Sequence, residues 1–190
     1  MPQTLQLYVE NKTGVLARVA GVLSARGFNI DSLTVAKSLD PGFSLMTVVV
    51  DVEDHLVEQV IKQLSKLINV ITVTNLSQAP AVEREMVLAK VHLPDEKRAR
   101  LLQEAEIFRA RVVDSSPGSY TLEATGDSDK LEAFLRVIES YGRVEIARTG
   151  AVAMQRGLKA GSTRNLNNAN ASAQACLNGG KVAVSGPILI

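Results

Sequence analysis

The chain has 190 residues, of which 46% are hydrophobic, so it can form one large domain or two small ones with buried cores. Its 21 basic and 20 acidic residues leave a net charge of +1. The chain as a whole therefore has no electrostatic field that would attract nucleic acid or anionic membranes. A single cysteine, Cys176, excludes an intrachain disulfide and a paired-cysteine zinc site. No apolar run reaches the ~18 residues of a membrane helix, and the N-terminus lacks signal-peptide features, so we expect a cytoplasmic protein.

The first half of the chain predicts the element order β-α-β-β-α-β. Alternating apolar and β-branched residues predict four strands, over 4–10, 30–38, 43–52 and 70–76. Apolar residues at helical spacing predict two helices, from Val15 to about Gly27 and from Val57 to Ile68. In the sheet that this order implies, the strand beginning at Ile30 is an edge strand, which invites pairing with a second chain.

The second half repeats this order less regularly. Strands are predicted over 83–92, 112–115, 120–124 and 144–152. Helices are predicted from Pro94 to Phe108 and from Leu131 to Ile138, with Pro94 in the first turn. Residues 78–80, Gln-Ala-Pro, form the natural linker. We therefore predict an α+β chain with two ferredoxin-like βαββαβ domains, over residues 1–77 and 81–157.

Residues 158–190 differ in composition from the rest of the chain. They contain no Asp or Glu, and Asn, Ala, Ser and Gly dominate. This composition predicts a flexible, disordered tail. The apolar ending 187–190 leaves open the alternative that the tail docks on a partner.

Two turns rich in Asn and Gly bracket the first predicted helix. Backbone N–H groups at a helix N-terminus attract a carboxylate, and Gly14, which lacks a Cβ, lets a ligand approach the backbone. The amide oxygens of Asn11 and Asn29 can accept hydrogen bonds from an ammonium group. An aliphatic ligand side chain would lie against the apolar residues beside the turns, Val15, Leu16 and Ile30. The pattern suits a free amino acid, although an Asn or Gly taken alone in such a place is usually a turn or cap residue.

Several segments resemble the small regulatory subunits of acetolactate synthase (acetohydroxyacid synthase), and the first half resembles the ACT domain of those subunits. The segments that carry the resemblance are 9–19, 26–35, 63–67, 82–85, 106–109 and 147–150. The resemblance covers residues 3–157 and implies a noncatalytic subunit. Such a subunit binds and stimulates a large catalytic subunit, which condenses pyruvate with pyruvate or 2-oxobutyrate on the way to the branched-chain amino acids.

The same resemblance implies where cofactors and effector bind. Thiamine diphosphate, magnesium and FAD are expected in the catalytic subunit, and no cofactor is expected in this chain. Valine, or in some relatives leucine or isoleucine, is expected to bind between the ACT domains of a homodimer and to inhibit. Asn11, Gly14 and Asn29 correspond to the residues that carry the effector site in that family.

Two alternatives stay open. The chain could be a free-standing amino-acid-responsive ACT module that acts on a transporter or a transcription complex. The second half also contains a cluster of basic residues, Arg84, Arg98, Arg100, Arg109 and Arg111. This cluster is either a solvated face or a contact for an acidic surface of the catalytic subunit, and it lacks the breadth or motif of a nucleic-acid interface.

Overall fold

The first repeat consists of four strands and two helices. In chain order these are β1 (Pro2–Glu10), α1 (Val15–Ala25), β2 (Asn29–Lys37), β3 (Phe43–Asp51), α2 (Asp54–Leu64) and β4 (Val70–Asn75). The strands form an antiparallel sheet with the order β2-β3-β1-β4, so β2 is an edge strand, as the sequence predicts. The computed structural model describes residues 2–157, and the predicted tail over 158–190 lies outside the described residues.

The core of the first repeat lies between one face of this sheet and the two helices. Apolar side chains alternate along the strands and recur every three or four residues along the helices, so both periods bring them to one layer. The buried members from β1, α1 and α2 are Leu5, Leu7, Val9, Val15, Val19, Leu23, Val57, Val60 and Leu64.

The second repeat has five strands and two helices. These are β5 (Ala81–His92), α3 (Arg98–Ile107), β6 (Arg111–Ser116), β7 (Ser119–Gly126), α4 (Ser128–Glu139), β8 (Arg143–Arg148) and β9 (Val152–Gln155). The sheet order is β6-β7-β5-β8, and β9 pairs with β5. Phe134 of α4 and Leu122 of β7 belong to its buried core. None of the helices in the described part of the chain has the length and apolar character that a membrane span requires.

The structure corrects the prediction of a single last strand over 144–152. The segment is divided into β8, which pairs with Val87–His92, and β9, which pairs with Ala81–Arg84. Gly150 has a φ of 80° at the division, a left-handed conformation that a continuous strand does not contain. The long strand β5 therefore receives two partners in succession, and the second repeat gains a strand beyond the βαββαβ pattern.

Two predicted helix boundaries are also wrong. Pro94 is followed by a single 3₁₀ turn, Asp95–Lys97, and the α-helix begins only at Arg98. In the first repeat α2 ends at Leu64, so Ile68 lies in the following turn with 88% of its surface exposed. The apolar pattern of the sequence extends beyond the end of α2 because Leu67, in the turn after the helix, also packs against the core.

The second repeat contacts the other face of the first sheet. Gln6 Nε2 donates to the carbonyl oxygen of Ala153 at 2.8 Å, and Thr4 Oγ1 donates to Glu83 Oε2 at 3.2 Å. The link between the repeats is itself attached to β1, because the N–H of Leu76 donates to the Thr4 carbonyl oxygen at 2.9 Å. Residues 2–156 consequently belong to one compact unit.

Candidate functional site

The N-terminus of α1 is exposed and open. Gly14 occupies the N-cap position with a φ of 84°, and among the described residues no side chain caps the helix. A Cβ placed on Gly14 would meet no described atom within 4 Å, so space for a ligand is present beside the backbone. The N–H of Val15 reaches the Lys12 carbonyl oxygen at 3.3 Å, and the N–H groups of Leu16 and Ala17 have no acceptor within residues 2–157, so they can bind an external one.

Asn11 fixes the turn that precedes this helix. Its backbone N–H donates to the Gly42 carbonyl oxygen at 2.8 Å, and its Nδ2 donates to the Pro41 carbonyl oxygen at 3.0 Å. Both bonds join the turn after β1 to the hairpin turn between β2 and β3. The side-chain Oδ1 of Asn11 is not used in either bond and remains an acceptor.

Asn29 lies at the opposite end of the same sheet. Asn29 pairs with Asp51 of β3, and Asp51 pairs with Pro2 at the start of β1. Asn11, by contrast, follows the last residue of β1. The nine residues of β1 span about 30 Å. The exposed Asn29 side chain donates from Nδ2 to Asp31 Oδ1 at 2.8 Å. One copy of the domain therefore does not bring Asn29 and Asn11 together.

The three predicted apolar contacts differ in availability. Val15 is only 3% exposed and belongs to the core of its own domain. Leu16, the next residue, is 43% exposed on the outer side of α1. Ile30 is half-buried and packs against the core next to Asn29. Leu16 and Ile30 can therefore contact an external side chain, while Val15 contributes mainly its backbone.

A polar network that the sequence analysis missed supports the turn at Asn11. Arg18 Nη1 donates to Asn69 Oδ1 at 2.7 Å, and Asn69 Nδ2 donates to Glu10 Oε2. Glu10 also pairs with Lys12 at 3.1 Å. The hydrogen bond from Asn69, and next that from Lys12, lower the pKa of the Glu10 carboxyl. Asn69 follows α2 and is distant in sequence from Glu10, so periodicity contains no signal for this contact.

The basic residues of the second half are partly brought together. Three of the five predicted residues and one that was missed surround an open cleft of about 440 Å³, hereafter the basic cleft. Its charged lining residues are Arg84, Arg109, Arg111, Lys130, Glu123 and Asp127. Arg98 instead lies over the ring of Tyr120, 5.1 Å from the centroid, and Arg100 is exposed on α3. Residues 2–157 contain no group of three or more His, Cys, Asp or Glu side chains that could hold a metal ion.

Both repeats match known protein families. Residues 5–72 match the family model of the AHAS small subunit-like ACT domain, and residues 84–157 match that of the small subunit of acetolactate synthase. The chain is 52% identical, over 159 residues, to a probable acetolactate synthase small subunit of Archaeoglobus fulgidus, covering 84% of this chain and 99% of that protein. It is 49% identical to the acetolactate synthase small subunit of Mycolicibacterium smegmatis, covering 81% and 91% of the two chains.

A solved structure of an acetolactate synthase small subunit has a similar fold. The acetolactate synthase small subunit of Thermotoga maritima superposes with a TM-score of 0.76 at 40% identity, covering 84% of this chain and 99% of that chain. The match includes the N-terminal ACT domain and the second repeat together. The chain belongs to the family of acetolactate synthase small subunits.

Proposed function

We propose that this small subunit stimulates an acetolactate synthase catalytic subunit and makes it sensitive to inhibition by valine or another branched-chain amino acid. The observation that carries the proposal is the separation of Asn11 and Asn29 to opposite ends of a sheet whose edge strand is β2. A pocket that uses both amides must contain residues from two chains. Such a pocket couples ligand binding to the packing of a dimer.

A two-fold dimer through β2 would form this pocket. In antiparallel pairing of two β2 edges, the Asn29 end of one strand lies beside the Lys37 end of its partner. The Lys37 end continues into the hairpin turn that Asn11 binds through Pro41 and Gly42. Asn29 of one protomer would then approach Asn11 and Gly14 of the other, and symmetry would give two equivalent sites.

The chemistry of these groups fits an aliphatic amino acid. The uncapped N–H groups of α1 would bind the carboxylate, and the amide oxygens of Asn11 and Asn29 would accept from the ammonium group. Leu16 and Ile30 would contact the aliphatic side chain. Neutral amides suit a zwitterion because they avoid the desolvation of an unpaired charge.

The edge strand also offers a route from the ligand to the second repeat. β2 begins at Asn29, and farther along it Ser32 and Thr34 contact residues 149–151 between β8 and β9. A ligand that changes the packing of β2 would thus act on both repeats. Allosteric coupling is typically about 1–3 kcal/mol, which is sufficient to change an activity several-fold. We assign thiamine diphosphate, magnesium and FAD, and the condensation itself, to the catalytic subunit.

Mixing the full chain with an acetolactate synthase catalytic subunit tests the proposal. We expect co-elution in gel filtration, raised acetolactate formation, and suppression of that increase by valine. A parallel calorimetric titration of valine into the isolated protein measures effector binding directly. No co-elution and no change in activity would contradict the regulatory-subunit proposal, and valine binding without either effect would favour a free-standing sensor.

A further inference from the structure

The basic cleft contains more positive charge than its carboxylates neutralise. Arg111 donates from Nε at 3.0 Å and from Nη2 at 2.7 Å to Glu123 Oε1, so this pair is satisfied. Asp127 is occupied as the N-cap of α4, where its Oδ1 accepts from the Lys130 N–H at 2.9 Å. The two carboxylates of the cleft are therefore engaged.

The remaining cations of the cleft have no carboxylate partner within residues 2–157. Arg84 Nη1 donates to the Glu83 carbonyl oxygen at 2.7 Å, and Lys130 Nζ donates to the Thr125 carbonyl oxygen at 2.7 Å. The side chain of Arg109 forms no ion pair or hydrogen bond in this part of the chain. Like charges gathered at one cleft repel each other, and a bound anion would remove that repulsion.

Arg109 occupies a backbone position that favours glycine. Its φ is 55°. Its N–H donates to the Glu106 carbonyl oxygen at 2.9 Å, and the N–H of Ala110 donates to the Ala105 carbonyl oxygen at 2.8 Å. These two bonds form the Schellman motif that ends α3. In the first repeat the corresponding residue after α1 is Gly27, with a φ of 75° and the same pair of bonds. The second repeat therefore has an arginine in a conformation that costs it stability.

Gly126 allows Lys130 to lie along the cleft. A Cβ on Gly126 would be 2.6 Å from Cδ of Lys130, so any larger residue would displace that side chain. With glycine present, the ammonium group is held at the end of β7 by the Thr125 carbonyl oxygen. A fixed lysine beside an unpaired arginine is a suitable arrangement for an oxyanion.

We propose that the basic cleft binds the phosphate group of a small molecule. The four cations exceed the two carboxylates by two charges, which matches a phosphate dianion, and guanidinium groups bind its oxygens in pairs. The volume of about 440 Å³ leaves room for an organic part beyond the phosphate. A concave cleft favours a small ligand over the flat acidic surface of a protein. The site is separate from the turns at Asn11 and Asn29 and does not depend on the effector proposal.

Titration of inorganic phosphate and of pyrophosphate into the full chain tests this site. Calorimetry is performed at low ionic strength, with chloride at matched ionic strength as the reference, because salt screens an exposed site. We expect saturable binding that Arg109→Gly and Lys130→Met each weaken at least tenfold. Arg100→Ala removes one positive charge from α3 outside the cleft and should retain wild-type affinity.

The melting temperature of the Arg109→Gly variant separates loss of the site from loss of the fold. Glycine relieves the positive φ, so this variant should melt at or above the wild-type temperature while it loses phosphate binding. Phosphate binding that does not exceed the chloride reference, or that is unchanged in Arg109→Gly, would overturn the proposal. So would an Arg109→Gly variant that loses only its affinity for the catalytic subunit, because the cleft would then be a protein contact.

Discussion

The hydroxyl oxygen of Ser32 accepts a hydrogen bond of 2.9 Å from the backbone N–H of Ala151. This bond joins the edge strand of the first sheet to the division between β8 and β9 of the second. Gly150 makes the approach possible, since a Cβ there would be only 2.6 Å from Ser32 Oγ and 3.2 Å from Thr34 Oγ1. The two repeats therefore meet at a glycine that no larger residue can replace without movement.

Gly150→Ala should destabilise the protein. The substitution places a side chain at a φ of 80° and against Ser32, and we expect a loss of about 1–3 kcal/mol in the free energy of unfolding. Gly21→Ala is the matched control, because Gly21 lies inside α1 and a Cβ there meets no described atom within 4 Å. That control should gain about 0.5–1 kcal/mol. Urea unfolding measures both, and equal stabilities would contradict the assigned contact.

Gly14→Asp should remove the proposed valine inhibition and spare the proposed stimulation of the catalytic subunit. The added carboxylate would occupy the space beside the helix N-terminus and repel the carboxylate of the effector. Gly118→Asp is the control, because Gly118 has a similar positive φ, 77°, and equally open surroundings in the second repeat. Activity assays with increasing valine concentration measure the effect.

Asn29→His should also remove valine inhibition, since it replaces the proposed amide acceptor with a bulkier ring. The isolated variant should no longer bind valine in calorimetry, although it still co-elutes with the catalytic subunit. Full valine sensitivity in both Gly14→Asp and Asn29→His would show that the effector binds elsewhere.

Val35→Lys should weaken the proposed homodimer. Val35 lies on the edge strand β2 and is 41% exposed, so a lysine there would replace an apolar side chain of the proposed interface by a charge, and lysines on edge strands oppose pairing. Val112→Lys makes the same change at a 42% exposed position on β6, an edge strand of the second sheet. In sedimentation velocity, Val35→Lys should dissociate into monomers at a higher protein concentration than the wild type does. Val112→Lys should dissociate at the wild-type concentration. Equal behaviour of the two variants would argue against dimerisation through β2.

Glu10 should make folding sensitive to acid. Hydrogen bonds from Asn69 and Lys12 lower its pKa below the ordinary value of 4.5, so the ionised carboxylate stabilises the folded protein above that pH. This stabilisation is lost as the pH falls through the lowered pKa. Glu10→Gln should therefore be less stable than wild type at pH 7, with a difference that shrinks in acid.

Urea unfolding across the pH range measures this difference. Glu58→Gln is the control, because it removes only an exposed pair with Lys62 on α2 and should change stability little at any pH. A difference between Glu10→Gln and wild type that stays constant from neutral to acid pH would contradict the role of the network.

Local patterns in the sequence account for most of the fold. Alternation along β1 and the stripe from Val15 to Leu23 predict elements whose apolar faces meet in the core, and Gly27 ends the first helix region as predicted. The last strand was mispredicted because its alternation continues across Gly150, and only the two separate pairings with β5 reveal that the segment divides there into β8 and β9.

The candidate sites were less predictable than the fold. Turn chemistry and family resemblance predict Asn11, Gly14 and Asn29 as effector-binding residues, yet only the strand register shows that one domain keeps Asn11 and Asn29 apart. Lys130 was missed because α4 reads as an ordinary amphipathic helix. Its place in the basic cleft depends on Gly126, whose role is visible only once the side chain of Lys130 is in position.

The attachment of the interdomain segment to β1 limits how the two halves can move. Leu76 is buried, its N–H is bonded to Thr4, and the hydroxyl of Ser77 accepts from the Thr4 N–H at 2.7 Å. A swivel at Leu76 or Ser77 would break those bonds, so the attachment to β1 extends up to the predicted linker over 78–80. Glycines inserted after Pro80 would lengthen the connection beyond this attachment, so the bonds of Leu76 and Ser77 to Thr4 should survive the insertion.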